Sequence, residues 1–178
     1  LHICDYNLEN INDYKNINND TLLVDVCLAA KFEAESLEKY RAQYQLTNHG
    51  FRTNICTELA RSFADIGDIV RGRDLYRRDS RTDKLENNLK RIFQEIYDKL
   101  NGAKDYYQDR SGNFYKLRED WWEANRQEVW KAITCGAAGG TYFRKTCGKN
   151  DTWTEGKCRC PKGDQVPTYF DYVPQFLR

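Results

Sequence analysis

Four stretches of the chain repeat apolar residues with the spacing of an amphipathic helix. The first covers about residues 21–46 and follows an Asn-Asn-Asp cluster at 18–20 that suits a helix N-terminus. Its apolar face mixes large residues with small ones, which would allow another helix to approach closely. The residues of this face are Leu23, Cys27, Ala30, Ala34 and Leu37.

The second stretch covers about residues 54–70, where the repeating residues are Ile55, Leu59, Phe63, Ile66 and Val70. Gly67 lies inside this helix, and Gly72 ends it. A glycine in a helix interior costs about 1 kcal/mol relative to alanine, so packing must compensate at this position.

The third stretch has the clearest period and predicts a helix between an N-cap at Thr82 and a stop at Gly102. Its apolar residues are Leu85, Leu89, Ile92, Phe93, Ile96, Tyr97 and Leu100. The fourth stretch covers about residues 115–133. Its helical spacing places Trp122, Val129, Trp130 and Ile133 in the core. The same spacing indicates a structural role for Trp121, Trp122 and Trp130.

From Cys135 onward the helical period is lost, because glycines and prolines recur too often for long helices. A segment that cannot bury enough apolar surface needs covalent links instead. We therefore predict an all-α fold. Residues 1–134 form the disulfide-stapled four-helix core, and residues 135–178 form an irregular cysteine-rich segment with few strands.

The seven cysteines indicate an oxidising, extracellular environment. They are Cys4, Cys27, Cys56, Cys135, Cys147, Cys158 and Cys160. Their odd number leaves at least one thiol unpaired or paired outside this segment, and a bridge between Cys27 and Cys56 would join neighbouring helices. Zinc is the competing interpretation of the last four cysteines. It is disfavoured because the tight Cys158-x-Cys160 spacing does not suit a structural zinc site.

The composition and charge disfavour several classes of function. A net charge of +1 gives no overall attraction to nucleic acid or to a membrane, and no apolar run is long enough to cross a bilayer. The chain has two histidines, and neither lies in a nucleophile motif, so we predict no enzyme activity, no cofactor and no metal. The apolar residues at its end suggest a fragment of a larger protein.

Two basic clusters are the candidate ligand-binding sites, because guanidinium groups bind sulfate as they bind phosphate. The first cluster consists of Arg71, Arg73, Arg77, Arg78, Arg81, Lys84, Lys90 and Arg91. Within it Lys84, Asn87, Asn88 and Arg91 share one polar helix face. The second cluster consists of Arg144, Lys145, Lys149, Lys157, Arg159 and Lys162. The alternative is that both clusters are ordinary solvated surface, where ion pairs contribute only about 0–1 kcal/mol each.

Exposed aromatic residues could also stack on sugar rings. The candidates are Tyr106, Tyr107, Phe114 and Tyr115, which flank a turn, and Trp153 near the second basic cluster.

Several blocks, in order, resemble the signature of Duffy-binding-like domains. They are residues 25–33 (DVCLAAKFE), 59–72 (LARSFADIGDIVRG), 121–136 (WWEANRQEVWKAITCG), 158–160 and 166–178 (VPTYFDYVPQFLR). Together they are similar to the alpha class at the head of the malaria parasite's variant erythrocyte membrane protein family. That family continues before Leu1 and after Arg178, so parts of a complete domain lie outside this chain.

The resemblance implies an adhesion domain on the extracellular face of the infected host-cell membrane. Its implied partners are heparan-sulfate-like glycans, blood-group sugars and complement receptor one, with rosetting, the capture of uninfected red cells, as the outcome. We therefore expect binding to host red-cell glycans or receptors. The alternatives are a protein receptor bound on an apolar helix face, or a structural part that packs against flanking domains.

Overall fold

The computed structural model describes residues 4, 6–50, 54–75 and 83–178, and the all-α prediction is confirmed. The α-helices are α1 (Tyr6–Glu9), α2 (Asn19–Thr47), α3 (Ile55–Arg71), α4 (Lys84–Asp98), α5 (Lys104–Tyr107) and α6 (Tyr115–Ile133). Single 3₁₀ turns lie at Tyr14–Asn16, Gly156–Cys158, Phe170–Tyr172 and Gln175–Leu177. These described ranges contain no β-strand, only two isolated bridges after residue 146.

Polar side chains cap the start of α2, α3 and α4, whereas α6 follows Phe114 and has no side-chain cap. Asn18 and Thr21 form a capping box at the start of α2, and Asn54 caps α3. Asp83 caps α4 through the Glu86 N–H, whereas the predicted cap Thr82 lies outside the described residues. The C-terminal stop at Gly102 is wrong. The helix ends at Asp98, and the Leu100 N–H then closes a shorter turn onto the Tyr97 carbonyl.

The buried face of α2 is shifted from the predicted one. The buried residues are Leu22, Val26, Ala29, Ala30, Glu33 and Ala34, while Leu23, Cys27 and Leu37 are half-buried. Glu33 explains the shift. Its carboxylate accepts hydrogen bonds from the Ser62 hydroxyl at 3.0 Å and the Cys4 N–H at 3.1 Å, so a charged residue lies where hydrophobicity alone predicts solvent.

The apolar stripes of α3, α4 and α6 meet in one core, as their periods predict. The Phe63 ring lies at its centre, 5.1 Å from the Trp122 ring and 5.2 Å from the Trp130 ring between centroids. Trp122 also covers Gly67, where a Cβ would lie 2.7 Å from the indole ring. The helix tolerates this glycine because the indole needs the space that a side chain would fill.

Two disulfides connect the irregular segment to itself and to the core. Cys56 of α3 pairs with Cys158, and Cys147 pairs with Cys160. The suggested bridge between Cys27 and Cys56 is therefore wrong. Within the described residues the thiols of Cys27 and Cys135 are unpaired, and burial, together with the Glu128 carboxylate, raises the pKa of Cys27 to about 11. A disulfide at Cys4, and the domain division at residue 134, remain predictions.

Residues 168–178 are attached to α3 and α6 by buried charges. The Asp171 carboxylate, 2% exposed, accepts hydrogen bonds from the Trp122 indole at 2.9 Å and from the Arg126 guanidinium at 2.7 and 2.8 Å. Its backbone carbonyl accepts from Arg71. Arg178 pairs with Asp65 at 2.7 Å. Since each buried charge has a partner, the segment is held without an apolar core of its own.

We expect Gly67→Ala to destabilise the protein even though alanine favours helices. Overpacking against the indole should cost about 3 kcal/mol, which exceeds the gain of about 1 kcal/mol in helix propensity. Urea unfolding would measure the net loss of about 2 kcal/mol. Gly156→Ala is the matched control, because that Cβ meets nothing within 4 Å. An unchanged or raised unfolding midpoint for Gly67→Ala would contradict this packing.

We expect Asp171→Ala to lower the free energy of unfolding by roughly 3–5 kcal/mol, since it leaves the buried Arg126 and Trp122 donors without their acceptor. Chemical denaturation is again the measurement. Asp164→Ala removes an exposed carboxylate that lies just before this segment and should change stability by less than about 0.5 kcal/mol. Equal effects of the two substitutions would show that the Asp171 network does not hold the segment.

Candidate binding surface

The first basic cluster is not one surface, because Arg71 lies inside the protein. Its side chain is fully buried between the Trp122 and Tyr172 rings and bonds to Asp68, Glu119 and the Asp171 carbonyl. Burial lowers the pKa of Arg71 below its usual value, while the neighbouring carboxylates raise it. Its assignment as a ligand-binding residue is therefore wrong: the last turn of α3 directs this guanidinium toward α6.

Arg73 is the next residue of this cluster and lies at the surface. Its side chain is 58% exposed and forms a salt bridge of 2.7 Å with Glu119. Arg77, Arg78 and Arg81 lie outside the described residues, so their predicted contact with ligand stays a prediction.

The α4 part of the cluster contributes two exposed cations. The Lys84 ammonium bonds to Asn10 at 3.1 Å, and the Arg91 guanidinium lies 3.9 Å from the centre of the Tyr14 ring. Lys90 is half-buried. The predicted polar face is wrong at Asn88, which is buried and donates to the Leu8 carbonyl, so this amide holds α1 against α4 instead of facing solvent.

The second basic cluster is largely exposed and lies on the stapled loop, which we define as residues 141–163. Its exposed cations are Arg144, Lys145, Lys149, Lys157 and Lys162. Arg159 is the exception, since its guanidinium turns inward to the Thr134 hydroxyl and the Lys131 carbonyl at the end of α6. Two exposed carboxylates, Asp151 and Glu155, share the loop, which therefore keeps a local excess of positive charge.

The stapled loop has a fixed shape. Cys147 and Cys160 tie its two sides together, and the Cys158 N–H donates to the Gly140 carbonyl at 3.0 Å. Gly140 has no room for a side chain, because a Cβ there would lie 2.7 Å from the Cys56 sulfur. The Gln165 amide bonds to Thr146 and Gly148 at 2.7 and 3.0 Å. The exposed cations therefore lie on a backbone that is already ordered. Ligand binding does not have to restrict its conformational freedom, so the entropic cost of binding is lower.

Exposed aromatic rings lie beside the loop cations. Phe143 and Trp153 are 40% and 49% exposed, with Arg144 and Lys145 at 5.2 and 5.5 Å from their respective ring centres. Trp153 therefore lies where a sugar-stacking residue would need to be.

Of the other aromatic candidates, Tyr106 and Tyr115 are exposed, Tyr107 is half-buried and Phe114 is buried. Trp121, Trp122 and Trp130 are buried, as their spacing predicts.

A cleft of about 460 Å³ opens between α6 and residues 164–172. The exposed Tyr169 and Tyr172 flank it, and Glu123, Arg126 and Asp164 are among its charged lining residues. The sequence gives no local signal for it, because its two sides are about forty residues apart in the chain and are brought together by the Asp171 network and by hydrogen bonds such as that from Gln127 to the Gly163 carbonyl.

The described residues contain neither a metal-binding cluster nor a helix that could span a membrane. No group of three or more His, Cys, Asp or Glu side chains there could hold a metal ion. Cys147, Cys158 and Cys160 form disulfides, so the zinc interpretation loses three of its four ligands. In the same part of the chain no helix combines the length and apolarity that a membrane span requires.

Solved structures with the same fold come from the malaria parasite Plasmodium falciparum. The NTS-DBL1 alpha-1 domain of erythrocyte membrane protein 1, PfEMP1, of the varO strain shares 43% identity over 99% of this chain, with a TM-score of 0.74. The NTS-DBL1-alpha and CIDR-gamma double domain of the same strain shares 41% identity over 99%, with a TM-score of 0.73. This chain spans 40% and 25% of those two chains.

A domain of another class is also similar. The ICAM-1-binding DBL-beta domain of a PfEMP1 protein shares 34% identity over 99% of this chain, with a TM-score of 0.73, and this chain spans 39% of it. A comparison with curated proteins finds no match. The family comparison matches the Duffy binding domain over residues 1–178, the full length of the sequence. The chain therefore belongs to the Duffy binding domain family.

Proposed function

We propose that this chain is part of an adhesion domain whose stapled loop binds sulfated glycans on host red cells. The observation that carries the proposal is the set of five exposed cations on a disulfide-fixed loop. Sulfated glycans present closely spaced anions, and guanidinium and ammonium groups bind them through charge-assisted hydrogen bonds.

The affinity would come from many weak contacts. An exposed ion pair contributes about 0–1 kcal/mol, so the loop alone gives modest binding to a single glycan segment. Display of many copies on a cell strengthens the overall binding. Once one copy has bound, its neighbours meet the glycan at a high effective concentration. Arg73, Lys84 and Arg91 are exposed and could add contacts, as could Arg77, Arg78 and Arg81.

Family membership supports a receptor-binding role at the surface of an infected cell. One similar structure is named as an ICAM-1-binding domain, and two others belong to a parasite membrane protein. We extend these properties to this chain as a proposal: it is displayed on the extracellular face of the infected host-cell membrane, beside flanking domains, and contributes to rosetting. A binding role without catalysis follows from the same proposal.

An exposed apolar stripe on α2 favours a second candidate, contact with a protein. Val24, Leu28 and Phe32 are 60%, 39% and 47% exposed and follow one another at i, i+4 and i+8. Tyr40 and Tyr44 are exposed farther along the helix, with ring centroids 6.3 Å apart, but they lie about 160–200° around the helix from Val24 and are not part of this stripe. Contiguous exposed apolar residues mark protein interaction sites, so this stripe suits a protein receptor such as complement receptor one, or a flanking domain.

We expect the triple variant Arg144→Glu, Lys145→Glu and Lys149→Glu to weaken heparin binding roughly tenfold to hundredfold, because each lost ion pair removes about 0.5–1 kcal/mol. Elution from a heparin column at rising salt measures the effect. Lys31→Glu with Lys39→Glu is the control, since both side chains are exposed on α2. If the triple variant and the control double variant eluted at the same salt concentration, the stapled loop would be rejected as the glycan site.

Red cells stripped of surface glycans separate the two candidates. The glycan proposal predicts that binding of the folded chain is lost on such cells. A protein partner on the α2 stripe predicts that binding survives and falls at least tenfold with Phe32→Glu, since burial of one large apolar side chain contributes about 1.5–3 kcal/mol. Lys162→Glu reverses an exposed charge outside α2 and should leave that binding unchanged.

A further inference from the structure

The cleft between α6 and residues 164–172 is a ligand-sized opening outside the stapled loop. Its volume of about 460 Å³ falls within the range of roughly 300–1,000 Å³ that is usual for small-molecule sites. Tyr169 and Tyr172 line it and are 56% and 43% exposed. The cleft therefore combines room for a small group with aromatic surface that solvent can reach.

The amide side chains that line the cleft already have partners in the protein. The Gln127 amide donates to the Gly163 carbonyl at 2.8 Å. The Gln165 amide donates to the Thr146 carbonyl at 2.7 Å and accepts from the Gly148 N–H at 3.0 Å. A ligand that needs neutral hydrogen-bonding partners therefore finds both of these groups engaged.

Arg126 also lines the cleft, but its charge is balanced within the protein. Its Nε donates to one oxygen of the Asp171 carboxylate at 2.7 Å, and its Nη2 donates to the other at 2.8 Å. Nη2 also donates to the Thr168 carbonyl at 2.9 Å. A paired guanidinium and carboxylate carry no net charge, so the exposed charges of the lining decide which ligand is attracted.

Those exposed charges are carboxylates. Glu123 lies on α6 and Asp164 on the other side of the cleft, and both side chains line it. Burial raises the pKa of Tyr172, and among the charges around this ring the Glu123 carboxylate raises it further, so Glu123 acts on the aromatic wall. A cation that enters the cleft is thus attracted from both sides.

The tyrosine rings lie where they already stabilise positive charge. The Arg126 guanidinium is 5.6 Å from the centre of the Tyr169 ring and 5.2 Å from that of Tyr172, within the range of a cation–π contact. Ala124 and Val166 add apolar side chains to the same lining. A cation with an apolar coat can pack against these groups, whereas a strongly hydrated cation would lose water that they cannot replace.

We propose that this cleft binds a quaternary ammonium group of the choline type. Such a group spreads one positive charge over methyl groups, so it can lie against the rings and be attracted by the carboxylates without donating a hydrogen bond. Free choline compounds and the headgroups of choline lipids share this chemistry. The site is independent of the glycan site, because its ligand is a cation and its lining residues lie outside the stapled loop.

The test is an NMR titration of the folded chain with choline chloride, in which potassium chloride keeps the ionic strength constant. The N-methyl proton signal of choline reports binding. We expect saturation with a Kd on the order of millimolar, because a few cation–π and screened charge contacts act together. Ethanolamine, the same molecule without the methyl groups, should bind at least fivefold more weakly, since a primary ammonium is strongly hydrated.

Variants separate the contribution of the ring from that of the charges. Tyr169→Ala should weaken choline binding roughly threefold to tenfold, whereas Tyr169→Phe should leave it within about twofold, because the ring and not the hydroxyl makes the contact. Glu123→Gln combined with Asp164→Asn should weaken it by a similar factor while removing no ring. Tyr40→Ala is the control, since this exposed tyrosine lies on α2.

Weaker binding in Tyr169→Ala and in the carboxylate double variant, with unchanged binding in Tyr169→Phe and Tyr40→Ala, supports the site. Absence of saturable choline binding, equal binding of ethanolamine, or equal binding by Tyr169→Ala and Tyr40→Ala overturns it. The proposal is also overturned, in favour of a protein partner, if an oligoarginine peptide binds in a Tyr169-dependent way and choline does not.

Flotation with phosphatidylcholine vesicles distinguishes the two sources of the ligand. Flotation of the chain that free phosphocholine reverses and Tyr169→Ala abolishes assigns the headgroup of a lipid. Binding of choline and phosphocholine without flotation assigns a free small molecule. Either result upholds the cleft as a quaternary ammonium site.

Discussion

The Asp171 carboxylate is the group on which the rest of this structure depends. It is buried and shared between an indole N–H and a guanidinium of α6, while its own backbone carbonyl binds the buried Arg71 of α3. A carboxylate in such surroundings is tolerated only when every partner is present, so the two helices and the C-terminal segment stabilise one another jointly. Arg178 repeats the arrangement with Asp65 and thereby fastens the end of the segment.

The cleft beside α6 and the stapled loop both depend on this attachment. The segment that carries Asp171 also carries Tyr169 and Tyr172, so the network that anchors the chain also orients the walls of the cleft. On the other side of the segment, the Thr168 hydroxyl bonds to Tyr142 at the start of the stapled loop, at 2.9 Å. The loop is then closed by Cys147–Cys160 and tied to α3 by Cys56–Cys158. Covalent links and buried charges thus replace the apolar core that residues 135–178 lack.

The sequence predicts the helices well where burial is decided by apolar side chains. The stripe from Ile55 to Val70 and the α6 boundaries at Tyr115 and Ile133 are confirmed. It fails where a polar group is buried, at Glu33, Arg71 and Asn88, because the partner that makes burial favourable lies on another element. A run of arginines cannot reveal that one of them faces a tryptophan across a helix interface. Disulfide pairing has the same limit, since Cys56 and Cys158 are 102 residues apart.

Arginine has two opposite uses in this chain, and location alone separates them. In the interior of the protein, Arg71, Arg118 and Arg126 each form hydrogen bonds to carboxylates or carbonyls. These bonds hold neighbouring elements together. Outside, Arg144 lies beside an aromatic ring on a loop whose cations outnumber its carboxylates. The net charge of +1 conceals this division, because the excess of cations on the loop is offset by an excess of carboxylates in the rest of the chain. Attraction to an anionic glycan therefore depends on which charges remain exposed after folding, and in this chain five of them lie on a loop closed by a disulfide.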